Sequence, residues 1–97
     1  MLLLTKANRA ALPPLYSQEN NPQAPALVKF FDPTGSWTWY ASEFDGEDRF
    51  FGLVDGFEKE LGYFSLSELQ AYRGRLGLPL ERDRHFPPTP LTDLLSR

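Results

Sequence analysis

Residues 49–64 read RFFGLVDGFEKELGYF, two apolar runs on either side of Asp55-Gly56, and this stretch decides the fold. An Asp-Gly pair between alternating apolar residues is the strongest short-range signal for a two-residue hairpin, because a type I′ turn needs positive φ at both central positions. A two-residue loop also sets the register, and with it the face on which every side chain lies. Val54 is then expected opposite Phe57, Gly52 opposite Lys59 and Phe50 opposite Leu61 on one face. Leu53 would oppose Glu58, and Phe51 would oppose Glu60, on the other. The first face is the better core candidate.

Outward from the hairpin, residues 37–44 (WTWYASEF) alternate large aromatics with small or polar residues, as a half-buried strand does, and end in the acidic turn DGED. Residues 26–31 (ALVKFF) are short and apolar and run into the turn sequence DPTGS. With Trp37 and Trp39 on the first face, Val28, Phe30 and Tyr40 are expected to join Phe51 and Leu53 on the second. Downstream, Ser65 and Glu68 form a capping box and Phe64 and Leu69 a hydrophobic staple, which opens a helix over about 66–73. Gly74 is placed to end it. At the other end of the chain, Thr5 caps a short helix over about 6–12 that Pro13-Pro14 stop. Residues 17–25 (SQENNPQAP) read as a surface loop. The final stretch carries Pro79, Pro87, Pro88 and Pro90 and is expected to run extended, with a helical turn near 91–95.

These readings combine into one α+β domain spanning residues 1–97. Its core is an antiparallel four-stranded meander (about 26–31, 37–44, 49–54 and 57–64) packed by the helix at about 66–73, with a short N-terminal helix and an extended proline-rich C-terminal tail. A chain this short buries only about 60–70% of the surface its unfolded form exposes, so dense packing matters. Fourteen aromatic residues supply it, each burying roughly 150–250 Å².

Composition excludes several chemistries. Cysteine is absent, which removes disulfides, thiolate nucleophiles and sulfur-ligated zinc, and fits a cytoplasmic protein. The Leu2-Leu3-Leu4 run is too short for a signal-peptide core or a membrane span. Net charge is −3, which gives no general attraction to nucleic acid. Charge is unevenly placed: Glu43, Asp45, Glu47, Asp48, Asp55, Glu58 and Glu60 face only Arg49 and Lys59, a local sum of −5. After Tyr72 the sign reverses, and Arg73, Arg75, Arg82 and Arg84 are candidates for contact with an anion.

No catalytic signature stands out. Glu43, Asp55, Glu58 and Glu60 contain the carboxylate pairs that glycoside hydrolysis uses, but Asp55 is explained by its turn and the others by a solvated sheet. The DGED turn lacks EF-hand spacing, and no metal or cofactor is expected. His85 is the only histidine and has no serine in a nucleophile context around it. RGRLG at 73–77 lacks the strand-loop-helix setting of a phosphate loop.

The aromatic surplus is more informative. Two short helices hardly cover both faces of the sheet, so the second face either stays exposed or lies beneath the N-terminal helix and the tail. Exposed, it is a protein-binding patch of Tyr40, Phe51 and Leu53 rimmed by Glu43, Glu58 and Glu60.

The runs FFGLVDGFEKELGYFSLSEL (50–69), WTWY (37–40) and LTKANRAALPPLY (4–16) together resemble the bacterial family catalogued as domain of unknown function 2958. The resemblance spans nearly the whole chain and implies short proteins carried on plasmids and integrative elements, near conjugation or anti-restriction genes. It supplies no active-site residues. The expectation is a non-enzymatic interaction module of a mobile element that binds a host or element protein, with inhibition of a restriction or CRISPR-type defence as one version. The alternatives are a small carboxylate-dependent enzyme and a nucleic-acid accessory protein that uses the C-terminal arginines. The chain is expected as a monomer, or as a homodimer paired through the strand at 26–31, where Lys29 is the only charged guard.

Overall fold

The computed structural model describes residues 2–97. In chain order the elements are α1 (Lys6–Ala11), β1 (Pro25–Ala26), β2 (Val28–Phe31), β3 (Thr38–Phe44), β4 (Arg49–Asp55), β5 (Lys59–Ser65), α2 (Leu66–Ala71), a 3-10 turn (Arg75–Gly77), β6 (Glu81–Arg82), β7 (Thr89–Pro90) and α3 (Leu91–Ser96). The main sheet is antiparallel and has five strands in the order β5-β4-β3-β2-β6, and β1 pairs with β7 beside it.

The hairpin forms where expected but in a different register. Asp55 pairs with Lys59, Leu53 with Leu61, Gly52 with Gly62 and Phe50 with Phe64, leaving Gly56, Phe57 and Glu58 in the loop. The shift is an odd number of residues, so it exchanges the faces of β5. Leu61 therefore lies beside Leu53, while Glu60 lies opposite Val54. The reason is packing. Gly56 does not adopt positive φ. A Cβ there would lie 2.3 Å from the Trp37 ring, so the absent side chain makes room for the indole. Phe57 then meets the same ring edge-on at 5.3 Å.

The strand expected at the sheet edge is also corrected. The sequence run splits into β1 and β2, and β6 covers β2 through Phe30↔Arg82 and Phe31↔Glu81. The fifth strand thus comes from the tail, which also supplies β7 and, where the helical turn near 91–95 was expected, α3. Val28 and Phe30 pair with Ala41 and Trp39 and belong to the first face, not the second. Tyr40, paired with Leu53, lies on the second as expected.

On the first face Phe30 and Phe50 are fully buried. Phe50 stacks between Phe44 (4.5 Å) and Phe64 (5.3 Å) and meets Phe30 at 5.7 Å. Such pairs add about 0.5–1.5 kcal/mol each beyond the area they bury. Leu66 and Leu69 of α2 close this core together with Leu4, Leu12 and Leu80. The α2 N-terminus is held twice: the Ser65 hydroxyl accepts from the Glu68 amide at 3.1 Å, and Asp48 of the DGED turn accepts from the Ser67 amide at 2.8 Å. This helix ends at Ala71, two residues before the expected boundary. Gly74 has φ −88, so it is not a left-handed cap. A Cβ there would lie 2.6 Å from the Asp32 carboxylate, which the chain must pass.

α1 starts at Lys6 behind its cap Thr5, as expected, and Thr5 and Asn8 exchange side-chain-to-amide bonds in a full capping box. None of its own residues is buried. It instead spaces Leu4 and Leu12, which insert into the first core.

Candidate functional site

The second face is covered at one end and open at the other. Leu53 is fully buried, with Leu91 and Leu94 of α3 and Ala26 around it, and Phe86 lies on Tyr40 at 5.7 Å. The tail therefore hides most of the aromatic patch expected from the sequence. Beyond α3 a groove of about 380 Å³ remains. Its floor is Phe51, Leu61 and Tyr63, and its walls are the Tyr16–Ala24 loop and the side of α3 at Leu91 and Leu95.

A bulge in β3 builds the back of this groove. Ala41 pairs with Gly52 and Glu43 with Phe51, so Ser42 is an extra residue between them. One added residue reverses the alternation downstream. Glu43 thereby turns away from the phenylalanine core and onto the second face, while Phe44 is brought into the core opposite Phe50. The Ser42 hydroxyl donates to the Pro25 carbonyl at 2.7 Å, tying the bulge to β1. β1 in turn pairs with β7, and the Leu91 amide donates to the Ala24 carbonyl at 3.0 Å, which fixes α3 beside the loop.

Glu43 is only 4% exposed. Its two oxygens accept the amides of Tyr16 (2.9 Å) and Gln18 (2.8 Å). Each such charge-assisted bond is worth about 1.5–3 kcal/mol, enough to offset the cost of a left-handed residue. That residue is Tyr16, with φ +70. The carboxylate thus holds the loop in the conformation that turns the Tyr16 ring toward Tyr63, 6.4 Å away and edge-on. Tyr63 also meets Phe51 edge-on at 5.3 Å. The Tyr16 hydroxyl beside it raises the Tyr63 pKa above the ordinary phenol value, with lesser contributions from burial and from Glu43 and Glu19.

Of the six residues assigned to a binding surface from the sequence, Glu43 and Phe51 line the groove. Tyr40 and Leu53 lie on the same face but under the tail. Glu58 is exposed in the hairpin loop, and the shifted register puts Glu60 across from Val54, so neither rims the second face. Nor is the acidic run one surface. One Asp45 oxygen accepts the amides of Glu47, Asp48 and Arg49, which lower its pKa, and Asp48 caps α2.

The four arginines do not form one patch: Arg82 and Arg84 line one shallow pocket with Lys29 and His85, and Arg73 and Arg75 do not line it. Arg73 donates to the Gln70 and Tyr72 carbonyls at the end of α2. Arg82 donates to the carbonyls of Leu2 and Leu3, tying β6 to the N-terminal segment. Arg75 lies where its charge acts on the Asp32 carboxyl, and Arg84 is exposed. His85 is exposed, and its amide donates to Asp83.

Tyr16, Tyr63, Leu91 and Leu95 line the groove without having been candidates from the sequence, and Leu61, expected in the core of the first face, lies in its floor on the second. Leu61 and Tyr63 did carry a signal: both are apolar at alternate positions of β5, yet each is about half exposed, at 48% and 49%. Tyr16 carried none.

A family model matches residues 3–96, nearly the whole chain, including the groove floor, the Glu43 bulge and α3. The chain belongs to DUF2958, described as a protein of unknown function. No curated protein and no solved structure matches it. For this DUF2958 chain the groove geometry is therefore the main guide to function. Among the described residues no helix is long and apolar enough to cross a membrane, and no cluster of His, Asp or Glu is arranged to hold a metal ion.

Proposed function

We propose that this chain is a protein-interaction module that receives a short segment of its partner in the groove beside α3. The observation that carries this reading is the groove's make-up: about 380 Å³ floored by Phe51, Leu61 and Tyr63, with its buried carboxylate engaged by two loop amides. That volume is at the small end of the roughly 300–1,000 Å³ of ligand sites and accepts one or two side chains of a larger partner. Aromatic anchors seated in such pockets dominate many interfaces. A general acid or base needs a carboxyl free to move a proton at the reacting atom, whereas Glu43 fixes backbone. Recognition fits these facts better than catalysis.

The family resemblance suggests carriage on a mobile element, which makes a host protein, such as a restriction or CRISPR-type defence component, the concrete candidate partner. The test is site-specific photo-crosslinking in a host cell, with the photoreactive amino acid replacing Tyr63 in the groove or Leu76, which is 91% exposed and does not line it. A discrete adduct from position 63 and none from position 76 is expected. Equal labelling from both positions, or none from 63, would reject the groove as the contact surface.

A further inference from the structure

Resting on that reading, we infer that the groove receives a guanidinium: an arginine side chain of the partner, stacked against Tyr16 and Tyr63 with its charge facing Glu43 and Glu19. The first observation is an uncompensated buried charge. Glu43 is nearly enclosed, and among the described residues the only ion pair is Lys29 with Asp83, so none of the described cations pairs with it. Two amides satisfy one lone pair on each oxygen, which leaves further acceptor capacity at the back of the cavity. A buried anion without a counter-ion is costly, and a cation entering from outside offsets that cost.

The second observation is the wall chemistry. Tyr16 on the wall and Phe51 and Tyr63 on the floor meet edge to face, and a cation within about 6 Å of a ring face is attracted by the ring quadrupole. The protein already shows this contact in cis: the Arg49 guanidinium lies over Tyr63, 5.7 Å from its centroid, without pairing with Glu43. A planar guanidinium can stack on a ring and donate to a carboxylate at once, which an ammonium does less well. Glu19 adds a second carboxylate at the mouth, and its influence reaches the Tyr63 hydroxyl. No lysine or arginine lines the groove itself, although the Arg49 guanidinium shares the Tyr63 ring.

The probe is N-acetyl-arginine methylamide, titrated into the full chain while backbone amide shifts are followed by NMR, with the citrulline analogue as the neutral isostere. The arginine compound should shift the Tyr16, Gln18, Phe51 and Tyr63 amides and bind at least about tenfold tighter than the citrulline compound. Glu43→Gln should reduce that preference. Because Glu43 also holds the loop, Glu19→Gln serves as a second variant, and it should weaken arginine binding about two- to threefold at low salt with the spectrum otherwise unchanged. Citrulline binding as well as arginine, shifts confined to other surfaces, or no saturable shift with arginine would each overturn the assignment. A crosslink from position 63 alongside any of these would leave the groove reading standing and remove only its cationic specificity.

Discussion

Gly52→Ala should unfold this protein more readily than almost any other single methyl addition. Gly52 pairs with Ala41 at the bulge, and a Cβ on it would lie 1.8 Å from the Tyr40 carbonyl oxygen and 2.9 Å from its carbon. Ordinary van der Waals contact begins near 3.4 Å, so β3 and β4 must part by roughly 1.6 Å, and the obstacle is backbone rather than a flexible side chain. Parting loses two or so ladder bonds at about 1 kcal/mol each and disturbs the Glu43 contacts, for a total near 3–4 kcal/mol. A domain of this length has about 5–15 kcal/mol in all. The expected fall in melting temperature is at least about 12 °C.

Its cross-strand neighbour is the control. Gly62 pairs directly with Gly52, but a Cβ there meets nothing within 4 Å. Gly62→Ala should change stability by less than about 1 kcal/mol, and in the stabilising direction if the narrowed unfolded ensemble dominates. Urea titration followed through Trp37 and Trp39 fluorescence reads both variants, with unchanged m-values expected. A Gly52→Ala protein within about 1 kcal/mol of the parent, or equal losses from the two glycines, would refute the bulge geometry.

Two further outcomes follow from the buried polar contacts. The Asp32 carboxyl accepts the Thr34 amide and hydroxyl (both 2.8 Å) and the Tyr72 hydroxyl (2.9 Å), and the Thr34 bonds chiefly lower its pKa below the ordinary aspartate value. A depressed folded pKa contributes stability that is present above the unfolded value, near about 3.9, and is lost as pH falls through the folded one. The melting-temperature gap between the parent and Asp32→Asn should therefore be constant near neutrality and narrow below about pH 4. A gap that stays the same down to pH 2 would contradict this. Lys59 donates its ammonium to the Leu94 and Arg97 carbonyls at the end of α3, 2.9 Å for the first. Lys59→Met should cost about 1 kcal/mol and speed hydrogen exchange in α3, and unchanged exchange there would show that the contact is idle.

Legibility differed sharply between elements. The strand character of 37–44 and 49–54 and the starts of α1 and α2 were readable because alternation and capping act between residues a few positions apart. Val28 and Phe30 were put on the wrong face because alternation within a strand does not say which of its faces meets which face of the next. β6 and β7 are too short to carry a pattern, and their pairing with β2 and β1 is visible only when the tail has folded back. In the groove, Glu43 and Phe51 were legible as a carboxylate and an aromatic on strands. Tyr16 was not, since its position depends on a hydrogen bond from its backbone amide to a carboxylate 27 positions away.

By itself the sequence determined an α+β chain with an antiparallel sheet, a hairpin near Asp55-Gly56, capped short helices and no cysteine chemistry. Only the tertiary structure decided the hairpin register, the Ser42 bulge and the closure of the second face by α3. The physical reason is that Gly56 suits two purposes equally well, a left-handed turn and the close approach of a ring. Local sequence cannot choose between them. Trp37, brought in by a different strand, makes the choice, and the faces of Leu61 and Tyr63, and with them the floor of the groove, follow from it.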